Sequence, residues 1–199
     1  MDHYFTIEQP GTAEFKDRGS KFIAYAYPVN SADEFKVYLQ ALKKEHPKAV
    51  HHCFAYRIGI SGDNFRVNDD GEPSGTAGRP ILGQIDSRKL SNVAIIVVRY
   101  FGGTLLGVPG LINAYKTTAA LVLQMVPVVQ KPVMVNYEIE FDYTAMNDVM
   151  QVLKQFNCQV VEQNMQLFSH MKIGIPRNRL DEVIYRLTDV RNVECRKIL

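Results

Sequence analysis

A chain of 199 residues, 46% of them hydrophobic, is long enough for one large domain or two small ones with their own cores. A net charge of +2 excludes nucleic-acid binding by global electrostatics and leaves only a local basic patch. Three widely spaced cysteines with no C-x-x-C exclude a zinc ribbon and a redox pair, so reduced thiols are expected.

The opening MDHYFTIEQP lacks both a basic n-region and an apolar h-region, so no signal peptide is expected. Strands are predicted at Tyr4–Ile7, Ala13–Lys16 and Lys21–Val29, broken by Pro10-Gly11 and Arg18-Gly19. Ser31 with Glu34 forms a capping box, and Phe35, Tyr38, Leu39 and Leu42 recur at helical spacing until Pro47. A strand over His52–Ile60 places Phe54, Tyr56 and Ile58 on one face. Gly62-Asp63-Asn64 is a turn, and Phe65–Asn68 returns. The next twelve residues, DDGEPSGTAGRP from Asp69 to Pro80, form a shaped loop leading into a helix over about Thr76–Ile85. VAIIVVRY, within Asn92–Tyr100, has no alternation and reads as a deeply buried central strand. The longest strongly apolar run, Val93–Val98, is too short to span a bilayer, so no membrane partner is expected, and the reduced thiols point to a cytoplasmic location. Gly102–Gly110 is a second glycine-rich loop, followed by an apolar helix over Leu111–Met125.

The pattern resets at VPVVQKP, Val126–Pro132. Val133, Val135, Tyr137, Ile139 and Phe141 then alternate with polar residues, as in a half-buried strand. A helix with Met146, Val149, Met150 and Leu153 on one stripe follows, then strands near Gln159–Glu162 and Leu167–Ile175. A helix with Leu180, Val183, Ile184 and Leu187 and a strand near Val193–Ile198 complete the chain. This β-α-β-β-α-β order is the ferredoxin-like pattern. The expected fold is α+β in two domains, 1–130 and 131–199, the first a sheet backed by three helices. Residues 1–130 carry 14 Lys and Arg against 12 Asp and Glu, and residues 131–199 carry 9 against 9, so the positive excess lies in the first domain.

Both glycine loops run into helices, whose free amides and dipole favour an anion. Neither matches a P-loop. The candidate anion or nucleic-acid residues are Ser74, Gly75, Thr76, Gly78 and Arg79 in the first loop, with Arg99, Tyr100, Gly102, Gly103 and Lys116 around the second. Arg99-Tyr100-Phe101 allows two readings. A cation beside two aromatics can stack bases and grip phosphate. Alternatively, Phe101 is core and Arg99 pairs with Asp69, Asp70 or Glu72. The three carboxylates lack EF-hand spacing and are expected to partner an arginine or cap the loop's amides rather than hold a metal. His51 and His52 point to opposite faces of a strand, so both cannot ligate one ion, and His52 is expected partly buried. No catalytic motif stands out and no cofactor is expected. A small-molecule hydrolase would need Asp69, Asp70 and His52 to converge on a cleft.

These residues resemble the YigZ/IMPACT family. The resemblance is carried by SKFIAY at Ser20–Tyr25, HHCFAYR at His51–Arg57, DDGEPSGTAGRPIL at Asp69–Leu82, and VVRYFGG followed by LLGVPGLINAY through Tyr115. It implies a first domain similar to a small-subunit ribosomal protein domain and to the fourth domain of elongation factor G, and a second similar to that factor's last domain. It also implies a non-enzymatic, translation-associated regulator that binds RNA or the ribosome. The alternative is a regulator acting through protein contacts alone. Where the family pattern has a lysine, a second glycine and an arginine, this chain has Leu105, Pro109 and Asn113, so two cations and one flexible amide are missing. Lys116 lies one helical turn beyond Asn113.

Overall fold

The structure, a computed structural model, describes residues 1–61, 64–164 and 168–198. Gly62 and Asp63 of the expected turn and Leu167 of an expected strand lie outside the described residues. The chain divides into two compact units, Tyr4–Lys131, and Pro132–Leu199 together with Met1–His3.

The larger unit is built on a five-stranded sheet of β2 (Gly11–Asp17), β3 (Ser20–Pro28), β4 (His51–Ile58), β5 (Asn64–Asn68) and β6 (Val93–Tyr100). Their order is β2-β3-β6-β4-β5 and every neighbouring pair is antiparallel. The central position of β6 explains its unalternating sequence, because both of its faces are covered. Val93, Ile95 and Val97 pack against α2 (Gly78–Ser87) and α3 (Gly107–Met125). Ala94, Ile96 and Val98 pack under α1 (Ala32–Glu45) with Phe35 and Leu42. The three expected backing helices are therefore split, one on one face and two on the other. β2 and β3 are joined by Arg18 and Gly19 at φ 44° and 81°, the positive pair that a two-residue hairpin requires.

Ser31 caps α1, its Oγ accepting from the Glu34 amide at 3.1 Å. The Glu34 carboxylate reaches back to the Asn30 amide at 2.8 Å, so the box closes one residue earlier than the motif implies. Helix α2 begins at Gly78 rather than Thr76, because the Thr76 amide is bound to the Pro73 carbonyl in a turn at 3.1 Å. Two further strands, β1 (His3–Ile7) and β7 (Val128–Pro132), pair with each other. Within VPVVQKP, where the pattern resets, Val128–Pro132 thus form half of a two-stranded ribbon.

The smaller unit runs β8 (Met134–Asp142), α4 (Met146–Gln155), β9 (Gln159–Asn164), β10 (Phe168–Pro176), α5 (Leu180–Asp189) and β11 (Val193–Lys197). Its antiparallel order, β11-β8-β10-β9, is the ferredoxin-like arrangement. Ile139, Phe141, Met171 and Ile173 line one sheet face and pack with Val149, Leu153, Val183 and Leu187 of the helices. Glu138 and Glu140 alternate with this apolar set, as period-two side chains must. Among the described residues no helix is long and apolar enough to cross a membrane.

Candidate functional site

A buried carboxylate of the first glycine loop gathers side chains from β4, β6 and α3 of the larger unit. Glu72 sits at the bend of the first loop with its side chain 4% exposed. Its Oε1 accepts from Arg99 Nη1 at 2.5 Å and from the Tyr115 hydroxyl at 2.7 Å, and lies 3.7 Å from His51 Nε2. Arg99 enters from the end of β6, Tyr115 from the third turn of α3 and His51 from the start of β4. The guanidinium lies 5.4 Å from the Phe22 ring centroid and 5.7 Å from that of Phe101, with the Ser20 hydroxyl at 3.4 Å. Its Nε is buried without a hydrogen-bond partner among the described residues. Cys53 Sγ is 3.3 Å from the Tyr115 oxygen and 3.0 Å from the Asp69 carbonyl. Burial pushes both the Cys53 thiol and the Tyr115 hydroxyl well above their usual ranges, so neither supplies an anionic nucleophile at neutral pH.

The first loop provides its own anion. Asp69 accepts from the amides of Gly75 at 2.9 Å, Ala77 at 3.0 Å and Gly78 at 2.8 Å. Gly75 and Gly78 are among the residues expected to hold an external anion, and an internal carboxylate takes their amides instead, while the Thr76 amide is bound to the Pro73 carbonyl. Partial burial raises the Asp69 carboxyl, but the three amides and the charge of Arg79 outweigh it and hold the group below its usual value. That contribution to stability is full above the unfolded value of about 3.9 and is lost as pH falls through the lower folded one. Asp69→Asn should therefore cost about 1–2 kcal/mol at pH 7. Its urea midpoint should also approach that of the parent near pH 3.

Neighbouring Asp70 accepts from the His52 amide at 2.6 Å, while its Oδ2 lies 3.9 Å from His52 Nδ1, beyond hydrogen-bond reach. Burial pushes the His52 ring below its usual range, with Asp70 partly opposing. Asp69 is committed elsewhere, so the Asp69, Asp70 and His52 constellation that a hydrolase needs does not assemble.

The candidate residues thus separate. Gly75, Thr76 and Gly78 turn inward, with Thr76 Oγ1 donating to the Pro73 carbonyl at 2.7 Å. Of the two readings of Arg99, the internal pair is the one observed: it is a buried partner of Glu72 rather than a surface cation, the short ion pair offsetting the burial of both charges. Tyr100 is half-buried, its hydroxyl 2.8 Å from His46 Nδ1, while the Tyr25 hydroxyl is 2.7 Å from His46 Nε2. The Gly102 amide donates to Ser20 Oγ at 3.2 Å. A Cβ on Gly102 would fall 1.9 Å from the Gly19 carbonyl carbon, so this glycine permits two backbones to touch. Gly102→Ala should cost about 1–3 kcal/mol, read from its urea midpoint. Ser74, Arg79, Gly103 and Lys116 remain exposed.

One exposed feature was missed. Phe101, expected as core in one reading, is 48% exposed, and Leu105, Val108 and Ile112 follow at 82%, 50% and 38%. Val108, Ile112 and Lys116 recur every four residues on α3, the outer stripe opposite buried Leu111, Ala114, Tyr115 and Thr118. Val108 falls in the expected glycine-rich loop and Ile112 in the expected apolar helix, and composition alone does not mark either as outward-facing. The helical offset from Leu111 was the signal that separates the two faces.

Fold and site define a two-unit α+β protein whose loop carboxylates and β6 arginine are committed to internal contacts. The pattern described as the Impact N-terminal domain matches residues 18–123. YvyE of Bacillus subtilis, an IMPACT family member, is 38% identical over 78% of this chain and 71% of its own. YigZ of Escherichia coli, another member, is 28% identical over 95% of this chain and 94% of its own. A crystal structure of a hypothetical protein superposes with a TM-score of 0.80 at 27% identity, covering 100% of this chain and 98% of that one. The chain belongs to the IMPACT family.

Proposed function

We propose that this protein is a non-catalytic, translation-associated regulator of the cytoplasm that binds the ribosome through the second glycine loop and the outer stripe of α3. Phe101, Leu105, Val108 and Ile112 supply apolar contact, and Lys116 supplies charge toward RNA phosphate. Arg79 is a further exposed cation of the larger unit. The observation that carries this reading is that exposed apolar run, because partner surfaces are the usual reason to leave one unburied. Family membership supports the link to translation. Titrating fluorescently labelled protein with purified ribosomes tests the reading. Saturable anisotropy that weakens with salt is expected, and no saturation at low salt would sink it.

A second reading, a regulator that binds a protein partner without nucleic acid, is favoured by the burial of Arg99. A pull-down partner that survives nuclease treatment and does not sediment with ribosomes would select this second reading.

A further inference from the structure

On the opposite side of the sheet, under α1, lies a groove that none of these contacts uses. Strand β5 is the sheet edge, and α1 packs over β6 and β4, leaving a gap of about 160 Å³ beside β5. Period-two alternation turns Arg66 and Asn68 into this gap, while Phe65 and Val67 point away, and Asp70 borders it from the loop beyond β5. The floor is Phe35, Leu39 and Phe54, with the Phe35 and Phe54 ring centroids 4.7 Å apart.

The polar wall is built rather than incidental. Asp70 adopts φ 43°, and its amide donates to Asn68 Oδ1 at 2.6 Å. The His52 side chain is 9% exposed and lines the gap, and its Nε2 has no hydrogen-bond partner among the described residues. The Leu42 backbone also acts on that ring, favouring its charged form. Of the bordering cations, Lys36 is paired with Asp33 at 2.8 Å. Lys43 and Arg66 have no ion pair among the described residues, so two available cations face the one carboxylate of Asp70. No Ser, Thr or Cys lines the gap, which suits retention of a ligand rather than covalent turnover.

We propose that this groove binds a small organic anion, its carboxylate or phosphate head at Lys43 and Arg66 and its compact apolar body against Phe35, Leu39 and Phe54. Cavities of about 150 Å³ accept one benzene ring, which sets the size of that body. With Asp70 Oδ2 engaged by the His52 amide, its Oδ1 is the oxygen left to accept from a hydroxyl or ammonium where a ligand carries one near the head. This inference does not rest on the ribosome reading.

The test is a titration of the full chain with benzoate, phenyl phosphate and benzyl alcohol, followed by amide NMR. At least one anion is expected to saturate in the millimolar range, with shifts at residues 66–70 and along α1, and the two anions report which head is preferred. Benzyl alcohol should bind about tenfold more weakly, and Arg66→Gln or Lys43→Gln should weaken the anion about tenfold with the rest of the spectrum unchanged. Both side chains extend from exposed positions, so the variants should fold. Failure of both anions to saturate, equal binding of benzyl alcohol, or unchanged affinity in both variants would overturn the proposal.

Discussion

Replacing Arg99 by alanine should destabilise the larger unit by about 3–5 kcal/mol, the cost of leaving a buried charge without its partner. Glu72 would keep its hydrogen bond from the Tyr115 hydroxyl but lose the guanidinium that neutralises it, and its side chain is only 4% exposed. The ring faces of Phe22 and Phe101 would lose their cation as well. In differential scanning calorimetry this corresponds to a midpoint lower by about 6–20 °C. The double variant Arg99→Met with Glu72→Gln should regain most of the loss, because it removes both charges and retains an acceptor for Tyr115. A double variant no more stable than Arg99→Ala would show that the cluster is held by something other than this pair.

The second large effect concerns the outer face. Leu105→Glu combined with Ile112→Glu should weaken ribosome binding by about 30-fold or more, equivalent to at least 2 kcal/mol for central contact residues. Both side chains are exposed, so unfolding should be unchanged within about 0.5 kcal/mol. Lys116→Gln should have a smaller effect and reduce the salt dependence of binding, since it removes one cation. Equal affinity of the double glutamate variant and the parent would place the contact elsewhere.

The sequence was informative where local pattern and burial agree. VAIIVVRY reads as a deeply buried central strand, and β6 is the middle strand between α1 on one side and α2 with α3 on the other. The smaller unit was legible because alternation in β8 and helical stripes in α4 and α5 gave its strand order a single familiar solution. Strand β7 was not, because proline and glutamine interrupt the apolar pattern and its partner, β1, lies at the other end of the larger unit.

At the site, the pairing of Arg99 with one of three acidic residues was foreseeable, but not which one. Backbone geometry decides that. Asp69 is turned into the amides at the start of α2, Asp70 toward the His52 amide, and only Glu72 reaches inward. Glycine loops ahead of helices suggested an external anion, and pattern alone cannot reveal that an aspartate six to nine residues upstream occupies the amides first.

The most direct measurement sets these two regions against each other. Ribosome affinity of the Arg99→Met, Glu72→Gln variant and of the Leu105→Glu, Ile112→Glu variant would be determined by the same anisotropy titration, below the unfolding range of both. Near-parental affinity for the first and a loss of about 30-fold for the second is the predicted result. Retained affinity in the surface variant, with loss in the buried-pair variant, would contradict the assignment of Glu72 and Arg99 to the scaffold and of the α3 stripe to binding.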